Sequence, residues 1–291
     1  MEKVRFTSFS AAKLNLSLRV TNKRPGGYHD IMSLFLRLPS VETLLISRAN
    51  ADAVRVRGFA VDGENIVSRA LRLAREAGLD VPFLDGVPFL DVEITKNVPP
   101  GSGMGAGSGN AAAILNWLSA GLDETRMADW KKWQDVALKT GADVPFLFSR
   151  HPLALVSGIG EILEPLPPLQ KLHISVVFPE WSVGTENAYT QLDAWYDSGY
   201  PFTASVARAE ANILHGKLLN QEHIGQLPND FAPMLIDKFP AYLELFDMFS
   251  KAGCFAWGIT GSGCAAFALS GKELPSLAWP SWVERVLGGM E

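Results

Sequence analysis

A glycine-rich run near the middle of the chain guides the interpretation of the rest. It reads Pro99-Pro100-Gly101-Ser102-Gly103-Met104-Gly105-Ala106-Gly107-Ser108-Gly109-Asn110. Residues 90–96 before it alternate polar and apolar side chains, which predicts a strand, and residues 110–122 after it are apolar almost all round, which predicts a buried helix. Glycine lets the backbone approach a ligand closely, and the start of a helix offers unpaired N–H groups to an anion. The run therefore predicts a phosphate-binding loop in an α/β fold.

Two familiar phosphate loops do not fit this run. A P-loop needs a lysine directly after its last glycine, and none follows here. The dinucleotide fingerprint needs a different glycine spacing and an acidic residue after a second strand, where this chain continues as a helix. The remaining alternative is a tightly packed turn without a ligand, and five alternating glycines before an alanine-rich helix favour the phosphate loop over it.

A second glycine cluster lies between two short apolar runs, residues 255–259 and 265–269, which predict paired strands. It contains Gly261, Ser262 and Gly263, and Gly258 lies just before it, within the first run. On its own this cluster is typical of a β-turn. As a partner of the first cluster it would form another wall of the same binding site.

Composition limits the class of protein. The chain has 291 residues, of which 47% are hydrophobic and 20% charged, as in an ordinary folded protein. Lys and Arg number 26 against 31 Asp and Glu, a net charge of −5. Sequence-independent nucleic-acid binding relies on many basic contacts to phosphates, so this balance argues against it. If this acidic chain binds phosphates, it has to do so through a few groups at one site, because its net charge does not attract anions.

The cysteines and the uncharged stretches predict a protein of the cytoplasm without a membrane segment. Only Cys254 and Cys264 occur, which favours a reducing compartment, and the N-terminus lacks a signal peptide's apolar core. Residues 97–122 and 252–271 are uncharged and long enough to span a bilayer. Glycine and proline interrupt both stretches, so we expect neither to be a membrane helix.

The remaining patterns predict alternating strands and helices. Strands are expected at residues 13–20, 41–47, 54–56 and 173–178, and helices at 65–77, 129–140, 185–196, 205–219 and 241–252. Residues 31–38 fit a strand or a short helix. Three prolines within residues 163–169 mark the best boundary between two lobes, residues 1–163 and 164–291.

A lysine and an aspartate are candidates for catalysis. Lys13 lies beside two alanines at the start of a strand, and Asp143 lies in an apolar segment, where an unpaired carboxylate is costly to bury. Taken singly, they also fit a solvated lysine and a turn-forming aspartate. Together with a phosphate loop they suggest phosphoryl transfer to an alcohol. Asp143 would accept the hydroxyl proton, and Lys13 would hold Asp143 and stabilise negative charge.

Tyr28 and His29 follow a Pro-Gly-Gly turn. An aromatic ring and an imidazole in such a place can stack on a nucleobase and hydrogen-bond its edge, although a loop packed on the core also fits. No His or Cys spacing is typical of a zinc site. Any Mg²⁺ would be held mainly by the phosphates of a ligand, with few protein ligands.

Several segments resemble one known family. Residues 13–18 and 24–31 resemble the N-terminal signature of the 4-diphosphocytidyl-2-C-methyl-D-erythritol kinases, which belong to the GHMP kinase superfamily. The glycine run resembles that superfamily's ATP loop, and residues 141–146 resemble its catalytic-aspartate segment. Residues 64–67, 182–185, 229–233 and 260–263 also match. The family usually has two serines before the asparagine of the loop, where this chain has Ser108-Gly109.

The resemblance implies a two-lobed α/β fold, with a mixed N-terminal sheet, an antiparallel C-terminal sheet, and ATP and substrate in the cleft between the lobes. The implied reaction is ATP-dependent phosphorylation of the 2-hydroxyl of a cytidine-diphosphate-linked methylerythritol, in non-mevalonate isoprenoid biosynthesis. The implied roles are Asp143 as base with Lys13 as its partner; Tyr28 and His29 at the cytosine; Asn15 and Thr185 near the rest of the substrate; Gly261, Ser262 and Gly263 at its phosphates; and Asn65, Lys96 and the run from Pro99 to Asn110 around ATP.

Two other functions stay open at this stage. One is a different GHMP kinase, which would act on mevalonate-like or amino-acid alcohols. The other is a nucleotide-binding sensor that has lost the chemistry, against which the presence of Lys13 and Asp143 argues. We expect Mg²⁺ to accompany ATP, and neither nucleic acid nor membrane as a partner. The oligomeric state is open between a monomer and a weak homodimer.

Overall fold

The structure is a computed structural model, and it describes residues 5–60, 63–79, 81, 87–120, 127–170, 172–197 and 199–290. The strands in these ranges are β1 (Phe6–Lys23), β2 (His29–Arg48), β3 (Ala53–Arg57), β4 (Leu90–Thr95), β5 (Leu153–Gly158), β6 (Ile162–Pro165), β7 (His173–Pro179), β8 (Gly225–Gln226), β9 (Ala256–Ile259), β10 (Ala266–Ser270) and β11 (Val283–Met290). The helices are α1 (Ile66–Glu76), α2 (Ala106–Leu118), α3 (Met127–Thr140), α4 (Val144–Ser149), α5 (Thr185–Trp195), α6 (Ala204–Leu219), α7 (Ala232–Lys238) and α8 (Ala241–Lys251).

The chain forms two compact units that are interleaved along the sequence. Unit 1 comprises Met1–Lys13, Arg37–Pro100 and Gly105–His151, and unit 2 comprises Leu14–Leu36, Gly101–Met104 and Pro152–Glu291. The long strands β1 and β2, which pair with each other, each contribute residues to both units. The glycine run is also divided, since its first half belongs to unit 2 and its second half to unit 1. The division into consecutive lobes at residue 163 stays a prediction.

In unit 1, helices pack beside a small group of strands. β4 pairs antiparallel with the second half of β2, and parallel with β3. Helix α1 buries Val67, Ala70, Leu71 and Ala74, whose spacing of three and four residues gives it one apolar face. Asn65 caps α1, because its side chain accepts a hydrogen bond from the backbone N–H of Val67 at 2.9 Å. Helix α2 is buried almost all round, as its sequence predicts.

In unit 2, the first half of β2 pairs antiparallel with β5, which also pairs with β6. A separate sheet has the order β11-β7-β10-β9-β8. Its neighbours are antiparallel, as the family resemblance implies, except that the two-residue strand β8 is parallel to β9. The predicted hairpin is confirmed, with Ile259 of β9 opposite Ala266 of β10.

Most predicted elements form close to their expected places. Residues 31–38 are strand, and together with 41–47 they make one continuous β2. The helix predicted at 110–122 instead begins at Ala106, inside the glycine run, because Gly105 adopts a left-handed conformation that starts the helix there. The helix ends at Leu118, earlier than predicted, and residues 121–122 of the prediction lie outside the described residues. Across the part of the chain that is described, every helix is too short or too polar to span a bilayer.

Candidate active site

The structure brings Lys13 and Asp143 together in unit 1. Lys13 lies on β1 with only 5% of its surface exposed, and Asp143 directly precedes α4. The distance from Lys13 Nζ to Asp143 Oδ2 is 3.9 Å, and 30% of the Asp143 side chain is exposed. Burial lowers the pKa of Lys13, and the charge of Asp143 opposes that shift. A carboxylate that a ligand can reach therefore lies beside a buried cation.

Gly105 places the start of α2 next to this pair. Its φ of 63° is left-handed, and a Cβ at this position would lie 2.8 Å from Asp143 Oδ2. Any other residue at 105 would be strained and would press on the carboxylate. The first N–H groups of α2 have no partner within the helix, so they and the helix dipole favour an anion here. The second half of the glycine run thus places a helix start, which favours anions in general, beside Asp143 and its partner Lys13.

The two glycine clusters are in direct backbone contact within unit 2. Ala265 N–H donates to the Ser102 carbonyl at 3.0 Å, and Cys264 N–H donates to the Gly101 carbonyl at 3.3 Å. A Cβ on Gly103 would lie 2.1 Å from the Thr260 carbonyl oxygen, and one on Gly263 would lie 2.2 Å from the Gly103 nitrogen. Only glycine allows the two loops to approach so closely. The second cluster is therefore a partner of the first and not an isolated turn.

Asn15 belongs to the same part of unit 2. It is 3% exposed, and its backbone N–H donates to Thr260 Oγ1 at 3.0 Å. Its side-chain amide donates to Ser33 Oγ at 2.8 Å. Asn229 holds the neighbouring loop, because its amide donates to the carbonyl oxygens of Ile259 and Gly261 at 2.8 and 2.9 Å. Asn15, Gly261, Ser262 and Gly263 are thus gathered around one rigid turn.

Tyr28 and His29 differ in environment although they are neighbours in sequence. Tyr28 is 63% exposed, whereas His29, the first residue of β2, is 8% exposed. The His29 ring stacks on Tyr189 of α5, with ring centroids 4.6 Å apart, and its Nε2 lies 2.8 Å from Asp193 Oδ1. Thr185 is exposed at the first turn of the same helix. Unit 2 therefore packs His29 against α5, the helix that begins with Thr185.

Asn65, Lys96 and Asn110 all have side-chain partners within unit 1. The Asn65 side chain caps α1, as described above. Lys96 Nζ lies 3.2 Å from Glu42 Oε2, and the Asn110 amide donates to the same oxygen at 2.8 Å. Of the rest of the run, Ser102 and Met104 are buried in unit 2, whereas Ser108 is partly exposed on α2.

Sequence reasoning missed Glu42, Tyr189 and Asp193. Glu42 is fully buried on β2 and is the shared partner of Lys96 and Asn110. A signal for it exists in the sequence, since an acid stands between Val41 and Thr43 in an apolar strand. Thr185, Tyr189 and Asp193 are spaced by four residues, which places them on one face of a helix. That spacing could have identified both α5 residues.

Comparison with known proteins extends this description. Residues 65–150 match the model of the GHMP kinases N-terminal domain. The chain is 31% identical, over 92% of its length and 93% of the relative's, to the 4-diphosphocytidyl-2-C-methyl-D-erythritol kinase of Porphyromonas gingivalis. It is 30% identical to the enzyme of the same name from Chlorobaculum tepidum, over 91% of this chain and 88% of that one.

A solved structure agrees with these relatives. The crystal structure of a 4-(cytidine 5'-diphospho)-2C-methyl-D-erythritol kinase superposes with a TM-score of 0.67 and 27% identity, over 91% of this chain and 90% of that one. The fold is thus that of the GHMP kinases, as the family resemblance implies. By sequence and by fold, the chain belongs to the family of 4-diphosphocytidyl-2-C-methyl-D-erythritol kinases.

Proposed function

We propose that this chain phosphorylates the 2-hydroxyl of 4-diphosphocytidyl-2-C-methyl-D-erythritol with ATP, a step in the synthesis of isoprenoid precursors by the non-mevalonate route. The relatives that carry this activity in their names match about nine tenths of the chain. The observation that carries the proposal is the pair of Lys13 and Asp143 beside the first turn of α2. The pair has the chemistry that transfer of a phosphoryl group to an alcohol requires.

In this mechanism Asp143 takes part in proton transfer and Lys13 in charge stabilisation. Asp143 accepts the proton of the substrate hydroxyl, and Lys13 orients the carboxylate and offsets the negative charge that develops. The N–H groups at the start of α2 bind phosphate groups of ATP. Phosphoryl transfer depends mainly on positioning and electrostatics, so few side chains suffice.

ATP supplies the phosphoryl group, and a bound Mg²⁺ would neutralise part of its charge. Mg²⁺ prefers hard oxygen ligands and usually keeps most of its contacts to phosphates and water. The Asp143 carboxylate and the Ser108 hydroxyl in unit 1 are oxygen donors of this kind. Within the described residues, no three His, Cys, Asp or Glu side chains form a cluster that could hold a metal ion. We propose that Mg²⁺ enters with ATP and takes few ligands from the chain.

The remaining roles follow the family's pattern. We propose that Tyr28 and His29 meet the cytosine, that Asn15 and Thr185 lie near the rest of the substrate, and that Gly261, Ser262 and Gly263 face its phosphates. Asn65, Lys96 and the run from Pro99 to Asn110 would surround ATP. Lys96 and Asn65 would do so from fixed positions, since one is paired with Glu42 and the other caps α1.

Asp143→Asn tests the proposed base directly. We expect kcat to fall by at least about 10²-fold, because the amide cannot accept the hydroxyl proton. The affinity for ATP, measured by calorimetry, should stay within a few-fold. Asp135→Asn is the matched control, since Asp135 is an exposed carboxylate on α3 of the same unit. Near wild-type turnover by Asp143→Asn would contradict the mechanism.

A substrate panel separates the proposal from the other candidates. ADP release is measured with the cytidine-diphosphate-linked alcohol, with mevalonate and with homoserine. We expect turnover with the first compound alone. Preferred turnover of another alcohol would indicate a different GHMP kinase, and ATP binding without transfer to any alcohol would indicate a sensor.

The cellular setting is also a proposal. Cys254 and Cys264 are both free and buried, and burial raises the pKa of each thiol to about 11, so both stay unreactive thiols at neutral pH. This supports the cytoplasm as the place where the enzyme works. We expect a monomer or a weak homodimer that binds neither nucleic acid nor membranes, which light scattering and co-sedimentation with vesicles can measure.

A further inference from the structure

His29 is held in a fixed orientation by α5 in unit 2. Its ring stacks on Tyr189 at an interplanar angle of 26°, and Tyr200 contacts it edge-on at 6.0 Å between ring centroids. Tyr189 is itself braced by an edge contact to Phe231 at 4.9 Å. Only 6% of the His29 side chain is exposed. The imidazole ring of His29 therefore cannot flip by 180° unless its neighbours repack.

Asp193 is the hydrogen-bond partner of this imidazole, and it is an ionised carboxylate. Besides His29 Nε2 at 2.8 Å, it accepts from Lys23 Nζ at 2.5 Å and from the hydroxyl of Tyr200. Burial opposes ionisation, but the hydrogen bonds from Lys23, Tyr200 and His29 outweigh it and lower the pKa of Asp193 to about 2. At neutral pH the carboxylate can only accept hydrogen bonds.

The state of Asp193 decides where the proton of His29 lies. Because Asp193 offers no donor, Nε2 has to carry the proton that it donates across the 2.8 Å contact. In a neutral imidazole the other nitrogen, Nδ1, is then an acceptor. Within the described ranges, no residue makes a hydrogen bond to Nδ1. That nitrogen remains as an acceptor for a ligand.

We propose that Asp193 is a positioning residue for base recognition: it fixes the Nε2–H tautomer of His29, so that Nδ1 accepts a hydrogen bond from the exocyclic amino group of a cytosine. The inference rests on the proposed function, in which His29 meets the base of the substrate. Uracil has a carbonyl oxygen where cytosine has this amino group. Two acceptors would then face each other, and a buried site that lacks its hydrogen bond rejects a ligand strongly.

The first test is the base preference of wild type and Asp193→Asn. Wild type should use the cytidine substrate at least about 10²-fold better, in kcat/KM, than the uridine analogue of the same alcohol. The amide of the variant can donate to Nε2 and move the ring proton to Nδ1, which then becomes a donor. We expect the preference to fall at least tenfold, with the change in KM for the alcohol and an unchanged KM for ATP.

A matched control separates this effect from a change in charge or fold. Asp197→Asn removes an exposed carboxylate just beyond the end of α5 and should keep the preference of wild type. An unchanged preference in Asp193→Asn, or an equal loss in Asp197→Asn, would overturn the role of Asp193.

The second test needs neither turnover nor a variant. The ¹⁵N shifts of the His29 ring in the wild-type enzyme without ligands report which nitrogen carries the proton. We expect the Nε2–H tautomer at pH 7.5. An Nδ1–H tautomer or an imidazolium there would overturn the inference even if the kinase activity is as proposed. If neither nucleotide substrate is turned over, the proposed function and the base preference both fail, while the ring shifts still decide what Asp193 does to His29.

Discussion

At Gly109, helix α2 passes so close to β1 that a side chain has no space. A Cβ there would lie 1.7 Å from the carbonyl oxygen of Ala11. Because this oxygen belongs to the backbone, it cannot move aside as a flexible side chain would. The family usually has a serine at this place, and this chain's glycine is explained by the close approach. Gly107, two residues earlier, meets only Ile66 Cγ2 at 3.7 Å, an ordinary contact. The two glycines therefore have different physical reasons.

Gly107→Ala and Gly109→Ala should change the free energy of unfolding in opposite directions. Alanine generally stabilises a helical position by about 0.4–1 kcal/mol, because it restricts the unfolded chain. We expect that gain for Gly107→Ala. For Gly109→Ala the steric conflict with Ala11 should dominate and cost about 1–3 kcal/mol, as overpacking does. Urea unfolding without ligands measures both, and a shift of both variants in the same direction would contradict the explanation.

The buried ammonium of Lys13 predicts a pH dependence. Burial lowers its pKa from the ordinary 10.5, and the charge of Asp143 only partly opposes this. A lysine with a lowered pKa loses its proton at a lower pH, so kcat of wild type should decline on the alkaline side below pH 10.5. Arginine stays protonated. The residual activity of Lys13→Arg should therefore show no such decline, and a decline at the same pH in both enzymes would exclude Lys13 as its source.

At the scale of elements, Glu42 joins three segments of unit 1. One oxygen accepts from the backbone N–H groups of Asn97 and Val98 at 3.1 and 3.0 Å, after the end of β4. The other meets Lys96 and Asn110, which places the first turns of α2 against β2. These partners offset the cost of burying the Glu42 carboxylate. Removing Glu42 would leave the buried ammonium of Lys96 without its partner.

Glu42→Ala should therefore destabilise the protein by about 3–5 kcal/mol. The double variant Glu42→Gln/Lys96→Met removes both charges and should recover most of that loss, because no unpaired charge then remains buried. Glu64→Gln, an exposed carboxylate before α1, should change stability by less than about 0.5 kcal/mol. A similar loss in the double variant and in Glu42→Ala would mean that charge pairing is not the cause.

At the scale of the whole molecule, the two compact units are interleaved along the sequence. Unit 2 includes Leu14–Leu36 and Gly101–Met104 besides the C-terminal residues. Within that unit, Leu18 N–H donates to the Pro228 carbonyl, and Asp230 N–H donates to the Leu18 carbonyl, both at 2.9 Å. Arg19 adds an ion pair to the buried Asp230 at 2.7 Å. These contacts join β1 to residues far along the sequence.

We therefore expect neither residues 1–163 nor residues 164–291 to fold when produced alone. The first fragment exposes the part of β1 and β2 that packs in unit 2, and the second lacks those strands and the loop that meets the second glycine cluster. Circular dichroism and the dispersion of amide NMR signals measure this, with the full chain as the reference. A well-dispersed spectrum from either fragment would instead support consecutive lobes with a boundary near residue 163.

Local patterns predicted the elements well and the long-range contacts poorly. The alternation in β4, the cap at Asn65 and the hairpin of β9 and β10 depend on residues close in sequence, so they could be identified directly. The sequence pattern predicts the start of α2 at Asn110, four residues after its observed start at Ala106, because glycine disfavours helices on average. The helix starts where it does because Gly105 is left-handed, and helix propensities averaged over many proteins do not predict the conformation of a single glycine.

The sequence by itself determined the glycine run with its predicted phosphate binding, the candidate pair of Lys13 and Asp143, and the family, since each depends on residue type and local spacing. Only the tertiary structure decided which side chains support them. Glu42 is buried against Lys96 from 54 positions away, and Asp193 meets His29 across 164 positions. Such partners are selected by the pairing of strands and the packing of helices, which compete over the whole chain. Which residues become partners depends on which surfaces pack together in the folded chain, and the local sequence around one residue does not show this.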